Sequence, residues 1–264
     1  MELRGKTALL TGATGGLGRA IAKALADRGA SLVLSSRKGE ELEALSAELP
    51  GEHRVAVADL AEPGAALRLL SDAGDIDVLV ANAALPGSGK LGDFSENEVL
   101  RALRVNLESP ILMAHALVPN MIERGSGHIV MVGSLSGVAP TARQSMYNAT
   151  KFGLRGFTLA LREDLRGTGA SASLIAPGFV RDAGMFADSG ADAPAGMGTT
   201  TPQRVSAAVV AAIEKDRGEI TVAPFHQARL AKFAGNHPEF AGRISGKAAT
   251  KAADEVARGQ ADKR

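Results

Sequence analysis

The chain has 264 residues, 30 Lys plus Arg against 29 Asp plus Glu, 45% hydrophobic residues and no cysteine. Its length suits one large domain or two small ones, and a net charge of +1 gives no electrostatic pull toward nucleic acid or an anionic surface. Without cysteine there are no disulfides, thiolate nucleophiles or Cys-ligated metals; the five histidines (53, 115, 128, 226, 237) form no close pair, so no metal is expected. No apolar run approaches the ~20 residues of a membrane span, and the start Met-Glu-Leu-Arg-Gly-Lys does not read as a signal peptide, so a cytoplasmic protein is expected.

Thr7 to Thr11 is a short apolar run, predicted as a buried strand. It enters Gly12-Ala-Thr-Gly-Gly-Leu-Gly18, after which Ile21, Ala22, Leu25 and Ala26 repeat at helical spacing within Arg19 to Arg28. Strand, glycine turn and helix N-terminus make a phosphate cradle, because small residues admit a pyrophosphate and the helix end offers free N–H groups. The G-x-x-x-G-x-G spacing also fits a plain tight turn. Ala30 to Ser35 is the second strand. Its end, Ser35-Ser36-Arg37-Lys38, holds no acid to accept from a ribose 2′-hydroxyl. Arg37 could hold a 2′-phosphate, which favours NADPH over NADH, or it simply starts a solvated helix.

Glu40 to Glu48 is an amphipathic helix. His53 to Ala58 is a third strand closed by Asp59-Leu60, Ala65 to Ala73 a helix, and Asp77 to Ala81 a fourth strand running into Asn82. Strands alternating with helices predict a parallel α/β sheet. The glycine-rich loop Pro86 to Gly92 lacks P-loop spacing. A long helix is predicted over Glu96 to Arg124, with Pro110 disturbing its hydrogen bonding so that Asn106 sits at a local irregularity. Gly127 to Gly133 is the fifth strand and delivers Ser134. A helix from Ser145 to Arg166, a sixth strand (Ser171 to Ala176), a lid over 181–201, a helix (Pro202 to Lys215) and a seventh strand (Glu219 to Ala223) complete a single domain over 1–224. The extension 225–264 is expected to pack back through Leu230, Phe233 and Phe240, its last part from Gly246 being a polar helix or a frayed tail.

Tyr147 and Lys151 lie four apart, hence on one helix face. Most such pairs are ordinary helix neighbours. A lysine beside a phenol favours phenolate, so the pair predicts a lowered Tyr147 pKa and a group able to exchange a proton with a carbonyl or alcohol oxygen. Ser134 could hydrogen-bond the same oxygen.

Taken together, Thr11-Gly12, Gly16, Gly18, Asp59, Asn82-Ala83, Asn106, Ser134, Tyr147, Lys151 and Pro177-Gly178 resemble, in order, the motifs of the short-chain dehydrogenase/reductase family. The resemblance implies a Rossmann-type doubly wound sheet of seven parallel strands, order 3-2-1-4-5-6-7, with helices on both faces. It implies catalysis by Tyr147 as general acid, Lys151 lowering its pKa, Ser134 orienting the substrate oxygen and Asn106 holding a relay water. Cofactor contacts are implied at Gly12, Thr14, Gly15, Gly16, Leu17, Gly18, Arg37, Asp59, Leu60, Asn82, Tyr147, Lys151, Pro177, Gly178 and Val180, and assembly as a homodimer or homotetramer. The chain departs from the family pattern at Ala81, at Gly15, where NADPH users often carry a basic residue, and at Asp182, where a Thr usually meets the nicotinamide amide.

The expected activity is NADPH-dependent reduction of a carbonyl, or the reverse alcohol oxidation. The alternative is a non-catalytic NADP(H)-binding regulatory or scaffold protein. The pocket residues Ser134, Leu135, Val138, Tyr147, Phe179, Met185 and Phe186 are mostly apolar, which suggests a neutral, fairly hydrophobic ketone, aldehyde or secondary alcohol; a 3-oxoacyl chain on a carrier also suits them.

Overall fold

A computed structural model describes residues 1–194 and 196–260, and of 244–252 only the helical backbone; the end of the predicted tail, 261–264, lies outside the described residues. In chain order the strands are β1 (Thr7–Thr11), β2 (Ser31–Ser36), β3 (His53–Val57), β4 (Val78–Ala81), β5 (Gly127–Val132), β6 (Ala170–Pro177) and β7 (Glu219–Val222). They form one sheet of order β3-β2-β1-β4-β5-β6-β7, with every neighbour pair parallel. A sheet covered on both faces needs strands apolar on both sides, and β4 and β5 are buried along their whole length.

The helices are α1 (Gly16–Ala26), α2 (Gly39–Glu48), α3 (Ala65–Ala73), α4 (Glu96–Leu103), α5 (Ser109–Glu123), α6 (Ser145–Asp164), α7 (Pro202–Glu214), α8 (Phe225–Asn236) and α9 (Pro238–Gln260). One face of the sheet is covered through Ile21, Leu42 and Val209 of α1, α2 and α7. The other is covered through Leu69, Met113 and Leu154 of α3, α5 and α6. Local chemistry sets several starts. Ser95 accepts from the Glu98 N–H while Glu98 returns a bond to the Ser95 N–H, a capping box for α4. Thr201 caps α7, with Pro202 in its first turn.

Three readings of the sequence need amendment. Helix α1 begins at Gly16 rather than Arg19, because two of the glycines belong to its first turn. The long helix over 96–124 is broken into α4 and α5 by a π turn, Arg104–Glu108, around Asn106. Leu230, Phe233 and Phe240 do not pack back but remain 47%, 43% and 54% exposed. Helix α8 rests instead on another face, where Gln227 is buried and Gly235 lies so close to the Val138 carbonyl that no Cβ would fit.

Candidate active site

The carboxyl end of β5 carries the reactive cluster. Ser134 is extended and its Oγ accepts from the Ser136 N–H at 3.0 Å, starting a short turn, Leu135–Gly137. That turn is tied to α6 by Asn148. Its Nδ2 donates to the carbonyls of Ser136 (2.5 Å) and Ala139 (3.1 Å), and its Oδ1 accepts from the Thr141 N–H (3.1 Å). Gly137 lies against the Lys151 carbonyl with no room for a side chain. The turn and the helix are thereby locked in register, which brings Ser134 into hydrogen bonding with Tyr147. Lys151 is buried, donates to the Val132 carbonyl at 2.9 Å, and its Nζ lies 5.6 Å from the Tyr147 ring centre. Across the cleft, a Cβ on Gly87 would stand 2.8 Å from the Tyr147 backbone nitrogen, so only glycine lets the loop after β4 approach. Asn106 is buried in the π turn and clamps that loop. Its Oδ1 accepts from the Leu85 N–H (2.7 Å) and its Nδ2 donates to the Leu85 carbonyl (2.9 Å).

Electrostatics here run against one expectation. Burial pushes the Tyr147 phenol up to about 12, opposed by its bond to Ser134. Burial also pushes the Lys151 ammonium down to about 8. The sequence reading gave Lys151 enough influence to lower the phenol. In the folded cleft, desolvation of both groups outweighs that attraction, since removing water disfavours phenolate and ammonium alike.

The glycine turn sits at the carboxyl end of β1. Gly12 has φ +65°, and a Cβ there would meet the Ala83 Cα at 2.9 Å. Gly15 precedes α1 and the helix has no side-chain cap, which leaves its first N–H groups bare. Gly18 closes on the Gly12 carbonyl, and Gly16 faces the Ala183 methyl of the 181–201 segment; side chains at either would collide. Leu17 lies under Gly184, and the Thr14 carbonyl accepts from Arg19 Nε at 3.3 Å. This bare helix end in a cradle that side chains would fill fits the pyrophosphate of a dinucleotide.

Asn82 secures the turn by donating to the carbonyls of Thr11 (3.0 Å) and Gly12 (3.2 Å), while Thr11 Oγ1 accepts from the N–H groups of Asn82 and Ala83, both at 3.1 Å. At the ends of β2 and β3, Arg37 Nη1 lies 4.0 Å from Asp59 Oδ2, and Asp59 Oδ1 accepts from the Ala61 N–H. Arg37 is exposed. The Leu60 side chain is in the core, which leaves its backbone to face a cofactor.

On the far side, Pro177 ends β6, the Gly178 N–H donates to Val222, and Val180 bridges Thr200, pinning both ends of the 181–201 segment. Asp182 has φ +70° and pairs with neighbouring Arg181 at 3.3 Å. The Phe179 and Phe186 rings meet at 4.7 Å; with partly buried Met185 and buried Leu135 they give this side apolar surface.

Reading the sequence missed Asn148 and Ala183 as supporting residues and gave Thr11 no role beyond its place in the motif. An Asn directly after Tyr147 at a helix start was a usable signal, since Asn there often bonds nearby backbone. Ala183 left no such mark, because its role depends on the lid folding over Gly16.

The chain matches the model of the short chain dehydrogenase family over residues 6–194. It is 38% identical over 227 residues to the ketoacyl reductase HetN of Nostoc sp., covering 83% of this chain and 79% of that protein. A metagenomic short-chain oxidoreductase solved in complex with NADP superposes with TM-score 0.71 at 33% identity, over 85% of this chain and 99% of that one. A 3-oxoacyl (acyl-carrier-protein) reductase from Agrobacterium tumefaciens with NADP bound gives TM-score 0.76 at 27% identity, over 83% and 93% of the two chains.

Proposed function

The chain belongs to the short-chain dehydrogenase/reductase family, oxidoreductases of C–OH and C=O groups that use NAD(P), and from that premise we propose that it reduces a neutral, fairly apolar ketone or aldehyde with NADPH, or oxidises the matching secondary alcohol. The observation carrying this reading is the meeting of Ser134, Tyr147 and Lys151 at the end of β5. Binding alone does not need such a proton-exchanging group.

When bound, the nicotinamide would supply the hydride. Gly12, Gly15, Gly16 and Gly18, with the α1 N-terminus, would hold its phosphates, and Arg37 a 2′-phosphate. Asn82, Pro177, Gly178 and Val180 would line the nicotinamide side. Ser134 orients the carbonyl oxygen and Tyr147 gives it a proton. A phenol held near 12 stays protonated through neutral pH, which suits reduction. Lys151 supplies positive charge behind the phenol, and Asn106 marks the place where a relay water would reach it. Leu135, Phe179, Met185 and Phe186 would take the apolar part of the substrate. Working assemblies are a homodimer or homotetramer, the exposed Leu100, Ile122 and Phe152 of α4, α5 and α6 being available for contact.

The test is NADPH and NADH oxidation with ketones, aldehydes and 3-oxoacyl thioesters, beside Tyr147→Phe. NADPH turnover that collapses in the variant is expected. A preference for NADH would remove the role given to Arg37. Cofactor binding and biological activity unaffected by Tyr147→Phe would support the non-catalytic, NADP(H)-binding alternative.

A further inference from the structure

Helix α9 touches both rims of the cleft. On the rim after β5, Arg143 Nε pairs with Asp254 Oδ1 at 2.6 Å. On the rim after β6, Gln260 Nε2 donates to the Met185 carbonyl at 3.0 Å, and Gly259 lies so close to the Ser189 carbonyl that no side chain would fit. Between these points Ala253, Val256, Ala257 and Gln260, one helical stripe, are buried. Helix α8 adds a bond from His226 Nε2 to the Met197 carbonyl at 2.9 Å. Arg143 is held in the left-handed region, φ +64°, which a non-glycine residue adopts only where surroundings impose it. Its carbonyl accepts from the Gly89 N–H at 2.6 Å, tying it to the loop that also carries Gly87.

We propose that α9 is the outer wall of the substrate cleft, and that the Arg143–Asp254 pair and the Gln260–Met185 bond form a latch across its mouth. The latch sets how large a molecule reaches Tyr147. The word substrate rests on the reductase reading; the latch does not. The Arg143–Asp254 pair is partly exposed, whereas the stripe that ends in Gln260 is buried. Breaking that pair therefore opens the mouth without unfolding the helix.

The chain itself provides a reporter. Tyr147 is its only tyrosine and it has no tryptophan, so intrinsic fluorescence comes from the cleft. Acrylamide quenching of that emission would be measured in the wild type, Asp254→Asn, Gln260→Ala and the reversed pair Arg143→Asp with Asp254→Arg. Loss of a partly exposed ion pair should raise quenching about threefold. The reversed pair should return it toward wild type, with NADPH affinity unchanged throughout. The ratio of kcat/KM for a bulky ketone to that for a small one should rise by the same factor in Asp254→Asn. Unchanged quenching in both single variants would overturn the proposal, as would opening without a change in the size ratio. If no carbonyl is turned over by any form, the reductase reading fails while quenching still decides the latch.

Discussion

At the amino end of β5, His128 is buried with its Nε2 2.8 Å from Ser173 Oγ. Beside it Arg162 bonds Ser171, the Ala172 carbonyl and Asp216. Past the carboxyl end, Ser134, Tyr147 and Lys151 form the other cluster. Burial moves a cation the same way at both ends, pushing His128 down to about 4 and Lys151 down to about 8. A displaced pKa therefore does not by itself distinguish a working site from a structural one. The surroundings do. The carboxyl end has a glycine cradle and a bridged mouth. Of the three buried side-chain polar atoms without a hydrogen-bond partner among the described residues, Thr200 Oγ1 and Gln227 Oε1 lie beside the loop after β6; none is at the amino end.

The largest expected break between the two ends is kinetic. Tyr147→Phe should cut kcat for carbonyl reduction about 10³-fold by removing the proton donor. His128→Asn should leave kcat within about twofold, since it touches no reacting atom. Steady-state assays of both variants check the pair.

Next comes acid and alkali. With the His128 pKa held below its unfolded value of 6.5, the unfolded chain binds the extra proton between pH 6.5 and about 4, and stability falls as pH drops through that window. The loss should be roughly 3 kcal/mol. The same sign applies to Lys151 between about 8 and 10.5, where stability rises with pH. Urea melts across pH should show each slope vanish in His128→Asn and Lys151→Met respectively. Reduction should weaken above about pH 8 as Lys151 loses its charge, and Lys151→Arg should move that limb upward.

A smaller effect sharpens the carboxyl end. Asn148→Ala leaves the Ser136 and Ala139 carbonyls and the Thr141 N–H without their side-chain partner. It should cost about 2 kcal/mol in thermal or urea melts and lower kcat by releasing Ser134, with NADPH affinity kept. Smallest is cofactor choice. Arg37→Ser should reduce the NADPH preference about tenfold, read as the ratio of kcat/KM for the two cofactors.

The cradle was legible because its signals are glycines that backbone geometry demands, set between an apolar strand and a helical repeat. The sheet order was legible because strands alternated with helices and matched a known pattern of motifs. The direction of the Tyr147 pKa was not, because four-residue spacing states proximity to a cation and says nothing about how much water the fold removes. The latch was not legible either. Arg143 and Asp254 are 111 positions apart, and neither letter is unusual where it stands. Leu230 and Phe233 of α8 and Phe240 of α9 misled for the converse reason: apolar letters alone do not say which face a helix will turn inward.

The π turn around Asn106 lets the site and the core be separated. A π turn takes up one residue more than an α turn, so α4 and α5 keep their faces on either side of it. Deleting one residue within Arg104–Glu108 would let α4 run straight into α5 with Met113, Ala114 and Met121 still on the sheet. What would be lost is the grip of Asn106 on Leu85, and with it the placement of the loop that faces Tyr147.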